Sequence, residues 1–273
     1  MTELQQAEFE ILKQAVSVCE ALGLRYFLVC GSALGAVKYG GFIPWDDDVD
    51  LALPRADYER FLEAAPGLLP PELVVQNYRT ERYCPNLFTK LRNRNTTFVE
   101  ASAAELPICH GVFIDLFPLD RYPASGLRAR RVELRKRVLL GLASSVYCSP
   151  KRGRALLYDR LGRLLGVRER LPKLMNRLEK TLIQPENRAG PILCNHGNWQ
   201  GKKDYFPQTV FAEGVPASFE GLAVVVPKEY DVYLTQKYGD WRADLPEEQK
   251  VGHHAASRCD LKTPYTESLQ NRI

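Results

Sequence analysis

The spacing of apolar and polar residues over the first 65 positions predicts a helix, a short strand and a second helix. A third helix is predicted after the acidic stretch described below. Between residues 3 and 22 the apolar side chains recur at the spacing of an amphipathic helix. The apolar run Tyr26–Val29 predicts a short buried strand, and Ser32–Tyr39 predicts a helix of small residues that ends at two glycines. Pro54 then starts a predicted helix over Arg55–Ala65. Helices and strands mixed in this way are typical of an α/β fold.

The rest of the chain continues this mixture, with one long helical stretch. Residues 125–186 carry stripes of leucine and valine with Arg and Lys between them, which predicts two or three inserted helices. Residues 187–210 are rich in Asn, Gly and Lys and are predicted to be loop. Further strands are predicted at residues 73–77, 88–91, 96–99, 112–117 and 222–227, with a turn at residues 92–95 and a helix over residues 228–238. We therefore expect an α/β fold with a mixed sheet and an inserted basic helical segment.

The stretch with the most candidate chemistry contains Asp46, Asp48 and Asp50. If residues 46–53 form a strand, these three side chains project to one face, while Leu51 points into a core. Three carboxylates on one face repel one another, so the cluster is unfavourable unless a cation lies among them. Hard carboxylate oxygens favour Mg²⁺ or Mn²⁺, with substrate phosphates as further ligands. The stretch therefore predicts a metal site.

Two other interpretations of the acidic stretch compete with a catalytic metal site. Short acidic runs are commonly solvated turns, but this one is framed by Trp45 and by apolar residues at alternate positions. An EF-hand loop also places acidic residues at its positions 1, 3 and 5, yet it requires Gly at position 6 and Glu at position 12. The chain has Leu51 and Asp57 there, so the EF-hand is excluded.

A second chemically informative stretch is His110–Asp120. Asp115 alternates with apolar residues inside an otherwise apolar strand, and a buried aspartate needs a partner. A carboxylate beside a metal can accept the proton of an incoming hydroxyl; a solvent-facing aspartate on an edge strand is the alternative. His110 is a candidate substrate contact, although a histidine in such a place is more often structural. Lys90 and Arg92, on or beside a predicted strand, are candidates for balancing phosphate charge.

Basic charge is concentrated in one segment of the chain. The whole chain has 37 Lys and Arg and 33 Asp and Glu, a net charge of +4. Between Arg121 and Lys180 there are 17 basic and 4 acidic residues, a balance of +13, so the remainder has a balance of −9. A basic helical face is most often a solvated surface; the functional alternatives are anionic lipid headgroups or a phosphate-bearing acceptor. Nucleic acid is not expected, because the segment has no recognition motif and only three tyrosines for stacking.

Seven scattered cysteines among 273 residues, 45% of them hydrophobic, indicate a globular protein in a reducing compartment. No Cys-x-x-Cys pair occurs, and Cys194 with His196 would supply only two metal ligands, so neither a disulfide framework nor a zinc site is predicted. Neither a secretory leader nor an apolar run of about 18–20 residues is found. The sequence therefore predicts a cytoplasmic protein, with peripheral contact at the inner membrane face as an open alternative.

The run from Gly31 to Asp50, Gly-Ser-x-Leu-Gly-Ala…Gly-Phe-Ile-Pro-Trp-Asp-Asp-Asp-Val-Asp, strongly resembles the LicD family of phosphotransferases. The relatives of that family include the fukutin and fukutin-related ribitol-phosphate transferases. The segments at residues 111–118 and 219–241 are similar to further parts of the family, whereas the basic segment matches no pattern. The resemblance covers residues 25–120 and 210–245. It implies a nucleotidyltransferase-like fold, with the Asp-x-Asp pair on one strand and a third acidic residue, here Asp115, on another.

The resemblance implies metal-dependent transfer of a substituted phosphate, either phosphocholine or a polyol phosphate, from a CDP-activated donor. The acceptor would be a hydroxyl of a glycan or lipid-linked glycan in cell-surface polysaccharide or teichoic acid synthesis, and CMP would be released. Backbone N–H groups at the start of the second helix can cradle the donor phosphates. The predicted metal ligands are Asp46, Asp48, Asp50 and Asp115, the last three also being the predicted catalytic residues. The predicted substrate contacts are Gly31, Ser32, Lys38, Trp45, Lys90, Arg92 and His110. An aromatic cage for a quaternary ammonium has Tyr39, Trp45, Trp199, Tyr205 and Trp241 available.

Two alternative functions use the same residues. An ordinary nucleotidyltransferase, which moves NMP from an NTP to a sugar or small molecule, would release pyrophosphate instead of CMP. A catalytically silent binding protein of the same fold is the other alternative; loss of a metal aspartate would favour it, but all are present.

We expect a single catalytic domain over residues 1–273. Within it, residues 1–24 would form an N-terminal helix and residues 25–120 the core with the metal site. Residues 121–186 would form the basic helical insertion, and residues 187–273 the C-terminal part of the core.

Overall fold

Helices and strands are mixed throughout the part of the chain that the structure, a computed structural model, describes: residues 1–123, 125–148, 150–184, 190–196, 201–252, 254 and 256–266. The helices are α1 (Glu3–Ala21), α2 (Cys30–Lys38), α3 (Arg55–Leu68), α4 (Gly126–Ala143), α5 (Arg154–Leu164), α6 (Val167–Leu182) and α7 (Tyr230–Tyr238). The strands are β1 (Phe27–Leu28), β2 (Asp50–Pro54), β3 (Leu73–Gln76), β4 (Thr89–Asn93), β5 (Thr97–Glu100), β6 (Val112–Tyr122), β7 (Ile192–Asn195), β8 (Tyr205–Pro207), β9 (Gly214–Phe219), β10 (Leu222–Pro227) and β11 (Ala256–Asp260).

A seven-stranded mixed sheet forms the centre of the fold. Five strands lie in the order β1–β2–β6–β4–β3, and β7 pairs with the distal part of β6 and with β8. The pair β2–β6 is parallel, and the other pairs of this sheet are antiparallel. Strands β9 and β10 form a hairpin, and β11 pairs with β5. Helices around a mixed sheet confirm the predicted α/β class.

Two hydrophobic clusters hold the described elements together. The larger one joins the central sheet to α1, α3 and α7, with fully buried residues such as Leu12, Phe61, Ile114 and Leu234. The smaller one lies between α4, α6 and the segment around residues 78–108. Burying a leucine or phenylalanine contributes about 1.5–3 kcal/mol, so each cluster is a substantial source of stability. Helices α4 and α6 thus pack on the core through a hydrophobic cluster of their own.

A buried ion-pair network also ties α6 to the sheet. The guanidinium of Arg55 donates two hydrogen bonds to Asp120, at 2.7 and 2.6 Å, and a third to Glu179 of α6 at 3.1 Å. Arg79 donates to the other carboxylate oxygen of Glu179 at 2.7 Å. Bidentate arginine–carboxylate pairs are among the strongest and most directional hydrogen bonds in proteins. The network therefore fixes how the helical segment sits beside α3 and β6.

The bounds of several predicted elements differ from the structure, three of them near the site or at the edge of the sheet. The strand predicted over residues 46–53 begins only at Asp50, because residues 46–49 follow a turn at residues 44–45 and do not belong to a strand. The turn predicted at residues 92–95 starts later, since β4 continues to Asn93 in pairing with β6. The loop predicted over residues 187–210 contains β7 and β8, which extend the central sheet. Short edge strands such as these carry too little periodicity to be recognised locally.

Among the helices of the described residues, none combines the length and apolar character needed to cross a membrane.

Candidate active site

Three adjacent strands bring one row of charged side chains together at the middle of the sheet. Asp50 of β2 lies directly opposite Asp115 of β6, and Asp115 lies directly opposite Lys90 of β4. Residues directly opposite on neighbouring strands project from the same face. The ammonium of Lys90 lies 3.0 Å from Oδ1 of Asp115 and 3.4 Å from Oε1 of Glu100. The row is thus two carboxylates and a buried lysine side by side.

The turn before β2 adds more carboxylates. Oxygen atoms of Asp46, Asp47 and Asp48 lie within 4.8 Å of one another. Gln5 of α1 anchors the turn, since its amide donates to the backbone carbonyls of Ile43 at 3.3 Å and Asp46 at 2.9 Å. Asp46, Asp48 and Asp50 were predicted to share a strand face; the turn brings them to one cavity instead.

The N-terminus of α2 is packed tightly against this turn. A Cβ atom added at Gly31 would lie 2.4 Å from Oδ2 of Asp46, so only glycine permits this approach. Ser32 is buried, and its hydroxyl accepts a hydrogen bond from the backbone N–H of Asp50 at 2.8 Å. Ser32 was predicted to contact the donor; in the structure its side chain joins α2 to the start of β2, because the strand's first N–H needs an acceptor.

Crowding of carboxylates changes their pKa values. Burial, followed by repulsion from Asp48 and Asp47, raises the pKa of Asp46 to about 8. Burial and repulsion from Asp48, Asp115 and Asp46 hold the pKa of Asp50 well above its ordinary value. Burial also acts to raise the pKa of Asp48, but a hydrogen bond and the charge of His254 outweigh it, and the pKa of Asp48 is lowered. The cluster is thus short of positive charge.

The chemistry of this donor set fits a hard divalent cation. Carboxylate oxygens on several sides of one space are the ligands that Mg²⁺ and Mn²⁺ prefer. The raised pKa values of Asp46 and Asp50 have mutual repulsion as one cause, which a divalent cation would relieve.

Three acidic or basic residues that the sequence analysis did not select also belong to the site. Nε2 of His254 lies 3.0 Å from Oδ2 of Asp48, and the backbone N–H of His254 donates to Asp47 at 3.0 Å. Glu100 pairs with Lys90 and Arg92, which overcome the effect of burial and lower its pKa to about 2. No local pattern marks His254 or Glu100; the pairing of β5 with β11 brings the C-terminal segment with His254 close to Glu100.

Glu8 is the third residue, and the sequence did contain a signal for it. It lies four residues before Leu12, so a carboxyl group falls on the apolar face of α1. Glu8 is 2% exposed, and its Oε2 has no hydrogen-bond partner among the described residues. Burial, then repulsion from Asp48, Asp47 and Asp46, raises the pKa of Glu8 to about 9. Glu8 is therefore a buried carboxyl group close enough to Asp46, Asp47 and Asp48 for their charges to raise its pKa.

Two other predicted substrate contacts lie inside the fold. Arg92 is 1% exposed; it donates to Gln76 at 2.6 Å and to the carbonyl of Gly111 at 2.7 Å, and pairs with Glu100. His110 is also 1% exposed, and its Nε2 lies 2.9 Å from the carbonyl oxygen of Leu106. The structure therefore places both side chains among buried groups, where Arg92 and Nε2 of His110 make the contacts just described.

The remaining predicted residues meet in a cavity of about 740 Å³. Its lining includes the four predicted metal ligands, together with Gly31, Lys38, Trp45, Lys90, Glu100 and His254. One part of the wall is aromatic and comes from Tyr39, Trp45, Tyr238 and Trp241. Another part comes from the end of α4 and the segment after it, with Leu140, Ala143, Ser144, Tyr147 and Lys151. The cavity thus spans from the carboxylates to the basic helical segment.

The aromatic residues considered for a cage are separated by the fold. Tyr39 and Trp45 pack edge to face with ring centroids 6.4 Å apart, and Trp241 lines the same cavity. Tyr205 lies elsewhere, stacked at 4.8 Å on Tyr122 of β6. Trp199 lies outside the described residues.

Lys38 is held at the rim by the chain after α7. Its ammonium donates to the carbonyls of Arg242 and Ala243 and to Asp244, each at 3.0 Å.

The Asp-x-Asp pair at the start of β2, Asp115 on the adjacent parallel strand β6 and the N-terminus of α2 line one cavity, as the family resemblance predicts. Comparison with known proteins agrees with that resemblance. The family described as "LicD/FKTN/FKRP, nucleotidyltransferase domain" matches residues 23–126. The predicted resemblance is thereby confirmed over residues 23–126, which match the nucleotidyltransferase domain of that family.

Individual relatives extend the comparison. The chain is 28% identical to the lipopolysaccharide cholinephosphotransferase LicD of Haemophilus influenzae over 93% of this chain and 96% of that protein. It is 52% identical over 48 residues to the ribitol 5-phosphate transferase FKRP of Mus musculus and of Homo sapiens. That match covers 18% of this chain and 10% of each FKRP. These similarities support a transferase.

Proposed function

We propose that the chain transfers a substituted phosphate from a CDP-activated donor to a hydroxyl of a glycan and releases CMP. The observation that carries this proposal is the cavity in which Asp46, Asp48, Asp50 and Asp115 meet an aromatic wall. Similarity to a cholinephosphotransferase over nearly the whole chain supports phosphocholine as the first donor group to test. A polyol phosphate is the second, supported by the local match to ribitol 5-phosphate transferases.

Asp46, Asp48, Asp50 and Asp115 would hold Mg²⁺ or Mn²⁺. Such an ion, when bound, neutralises phosphate charge and activates the attacking oxygen. The chain's own residues position these ligands: Lys90 donates to Asp115, and His254 lies within hydrogen-bond distance of Asp48. Phosphoryl-type transfer depends mainly on such positioning and charge balance. Asp115, on the strand beside Asp50, is the proposed proton acceptor for the glycan hydroxyl.

The phosphates and the headgroup of the donor would contact different walls of the cavity. The phosphates would lie beside Gly31 at the N-terminus of α2, where backbone N–H groups and the helix dipole favour an anion. A quaternary ammonium would lie against the rings of Tyr39, Trp45 and Trp241, which attract cations through their faces. The N-terminus of α2 and the aromatic wall line one cavity, so a single nucleotide-linked molecule can contact both.

The test is release of CMP from CDP-choline, CDP-ribitol and CDP-glycerol with Mg²⁺ or Mn²⁺, with and without a glycan acceptor. We expect CMP from one donor, loss of the reaction on chelation, and a decrease of roughly a hundredfold or more in Asp48→Asn and Asp50→Asn. Asp57→Asn is the matched control, since this aspartate pairs with Arg25 and Arg60 away from the cavity.

Other outcomes would assign the site to the two alternatives. Pyrophosphate released from an NTP, with no CMP from any CDP donor, would make the chain an ordinary nucleotidyltransferase. Calorimetry tests the other alternative. A catalytically silent binding protein would bind a CDP donor with equal affinity in the wild type and in Asp48→Ala, and neither protein would convert the donor.

A further inference from the structure

Exposed leucines are concentrated on the helical segment that lines one wall of the cavity. Among the described residues, fourteen large hydrophobic side chains are exposed, and seven of them are leucines between residues 127 and 165. Leu127, Leu134, Leu157 and Leu164 are 72%, 64%, 66% and 83% exposed. Single exposed leucines are normal, but such a concentration on two helices marks an interaction surface.

Helix α5 is apolar on the side where a water-exposed helix should be polar. Its buried positions are Asp159 and Gly162, and Gly162 packs so closely on Ser145 that a Cβ would lie 2.3 Å from the serine oxygen. At 100° per residue, the opposite side of the helix carries Leu157, Arg160 and Leu164. Helix α5 therefore turns its small and polar residues inward and its leucines outward, the reverse of the usual amphipathic pattern.

Helix α4 continues this surface. Leu127, Leu134 and Gly141 recur every seven residues and so lie on one stripe of the helix. At Gly141 the stripe touches α5, where a Cβ would lie 2.8 Å from the ring of Tyr158. Towards the N-terminus of α4, the two leucines on this stripe are exposed to solvent. We call the exposed sides of α4 and α5, with Leu127, Leu134, Leu157, Leu164 and the arginines among them, the leucine–arginine face.

The charge around these leucines has one sign. Residues 126–165 contain eleven Lys and Arg and two Asp and Glu. The two acidic residues are already engaged, Asp159 with Arg163 at 2.9 Å and Glu133 with Arg137 at 2.9 Å and Lys136 at 3.3 Å. Leucines that enter an interface, with arginines that keep their charge near anionic headgroups, are typical of helices that lie on a membrane surface.

We propose that the leucine–arginine face binds the surface of an anionic lipid bilayer. The end of α4 and the segment after it also line the cavity, so a bilayer under α4 and α5 would lie beside the route into the carboxylate site. An acceptor carried on a lipid would then reach the site without leaving its membrane. The binding itself does not depend on the transfer reaction and is measured without it.

The experiment is flotation of the full chain with phosphatidylcholine vesicles that contain phosphatidylglycerol and with vesicles of phosphatidylcholine alone. We expect binding to the anionic vesicles that weakens with added salt. In Leu157→Asn/Leu164→Asn the affinity should fall by roughly tenfold or more, because two apolar side chains no longer enter the interface. In Arg154→Gln/Arg160→Gln it should fall by a similar factor at low salt.

The matched control is Leu68→Asn/Val232→Asn, which changes two exposed apolar residues outside the face, 50% and 46% exposed. This variant should bind vesicles like the wild type, and circular dichroism should report the same fold for all variants. Three results would overturn the proposal: no binding to anionic vesicles, equal binding by the leucine variant, or equal binding to vesicles without anionic lipid. A concentration-dependent dimer that the leucine variant abolishes, without vesicle binding, would assign the face to a second copy of the chain and also overturn it.

Discussion

At the scale of single residues, two glycines of α2 allow neighbouring groups to approach the helix closely. They are Gly31, which faces Asp46, and Gly35, which faces Gly41. A Cβ at Gly31 would lie 2.4 Å from Oδ2 of Asp46, the end of a side chain that can turn away. A Cβ at Gly35 would lie 2.4 Å from the backbone carbonyl oxygen of Gly41, which cannot move without the chain. The same added methyl group should therefore have different consequences at the two positions.

Gly31→Ala should lower CMP release while leaving thermal unfolding nearly unchanged, whereas Gly35→Ala should lower stability. Displacing Asp46 by about 1 Å can reduce turnover by roughly a hundredfold. Forcing apart the backbone near Gly35 should reduce the free energy of unfolding by about 1–3 kcal/mol. Steady-state kinetics and chemical denaturation of both variants check this. Equal losses of stability at the two glycines would contradict it.

At the scale of elements, the helices between β6 and β7 differ in how they are held. Helix α6 buries Leu171, Met175, Leu178 and Leu182, at the i, i+4, i+7 and i+11 spacing of a core-facing helix. The buried residues of helix α5 are Asp159 and Gly162, neither of which has a large apolar side chain. One helix is therefore a structural support and the other a surface element, although both looked alike as leucine-rich stretches.

Leu171→Ala should reduce the free energy of unfolding by about 3 kcal/mol, because it leaves a cavity where the side chain is fully buried. Leu164→Ala removes the same atoms from a side chain that is 83% exposed and should change stability little. Urea denaturation of the two variants is the measurement. A large loss for Leu164→Ala in dilute solution would mean that α5 is covered in the folded protein.

At the scale of the whole molecule, the site is assembled from segments far apart in the chain. His254 meets Asp48, which precedes it by 206 residues, and the hydroxyl of Tyr233 accepts a hydrogen bond from the backbone N–H of Cys30 at 2.9 Å. The pairing of β11 with β5 places His254 and Glu100 on the same side of the cavity. The C-terminal part thus completes the charge balance around the aspartates.

His254→Ala should reduce CMP release by roughly tenfold or more, since Asp48 loses the partner that orients it. Ser257→Ala, in the same segment, removes only a hydrogen bond to the carbonyl of Val99 and should leave the rate unchanged. Rates of the two variants, with circular dichroism to compare their folds, test this expectation. Loss of activity in both would indicate a general loss of the C-terminal strand instead.

The sequence predicted the elements with strong periodicity and the aspartates with distinctive spacing. Helix α1 and strand β6 were predicted from local pattern, and the carboxylates Asp48, Asp50 and Asp115 were selected from local pattern together with the family resemblance. Arg92 and His110 were predicted to contact substrate because their residue types suit phosphate chemistry. Their burial depends on Gln76, Gly111 and Leu106, which are partners that no local pattern identifies.

What the sequence by itself determined is the class of fold and which aspartates are candidates for the site, because both follow from local periodicity and from short motifs at residues 31–50 and 111–118. Only the tertiary structure decided which charges surround those aspartates and which leucines lie outside. His254, Glu100 and Lys90 meet through strand pairings between distant segments, and Leu164 is exposed because Asp159 and Gly162 face inward. Such contacts depend on packing across the chain, and the spacing of residues along one element contains no information about them.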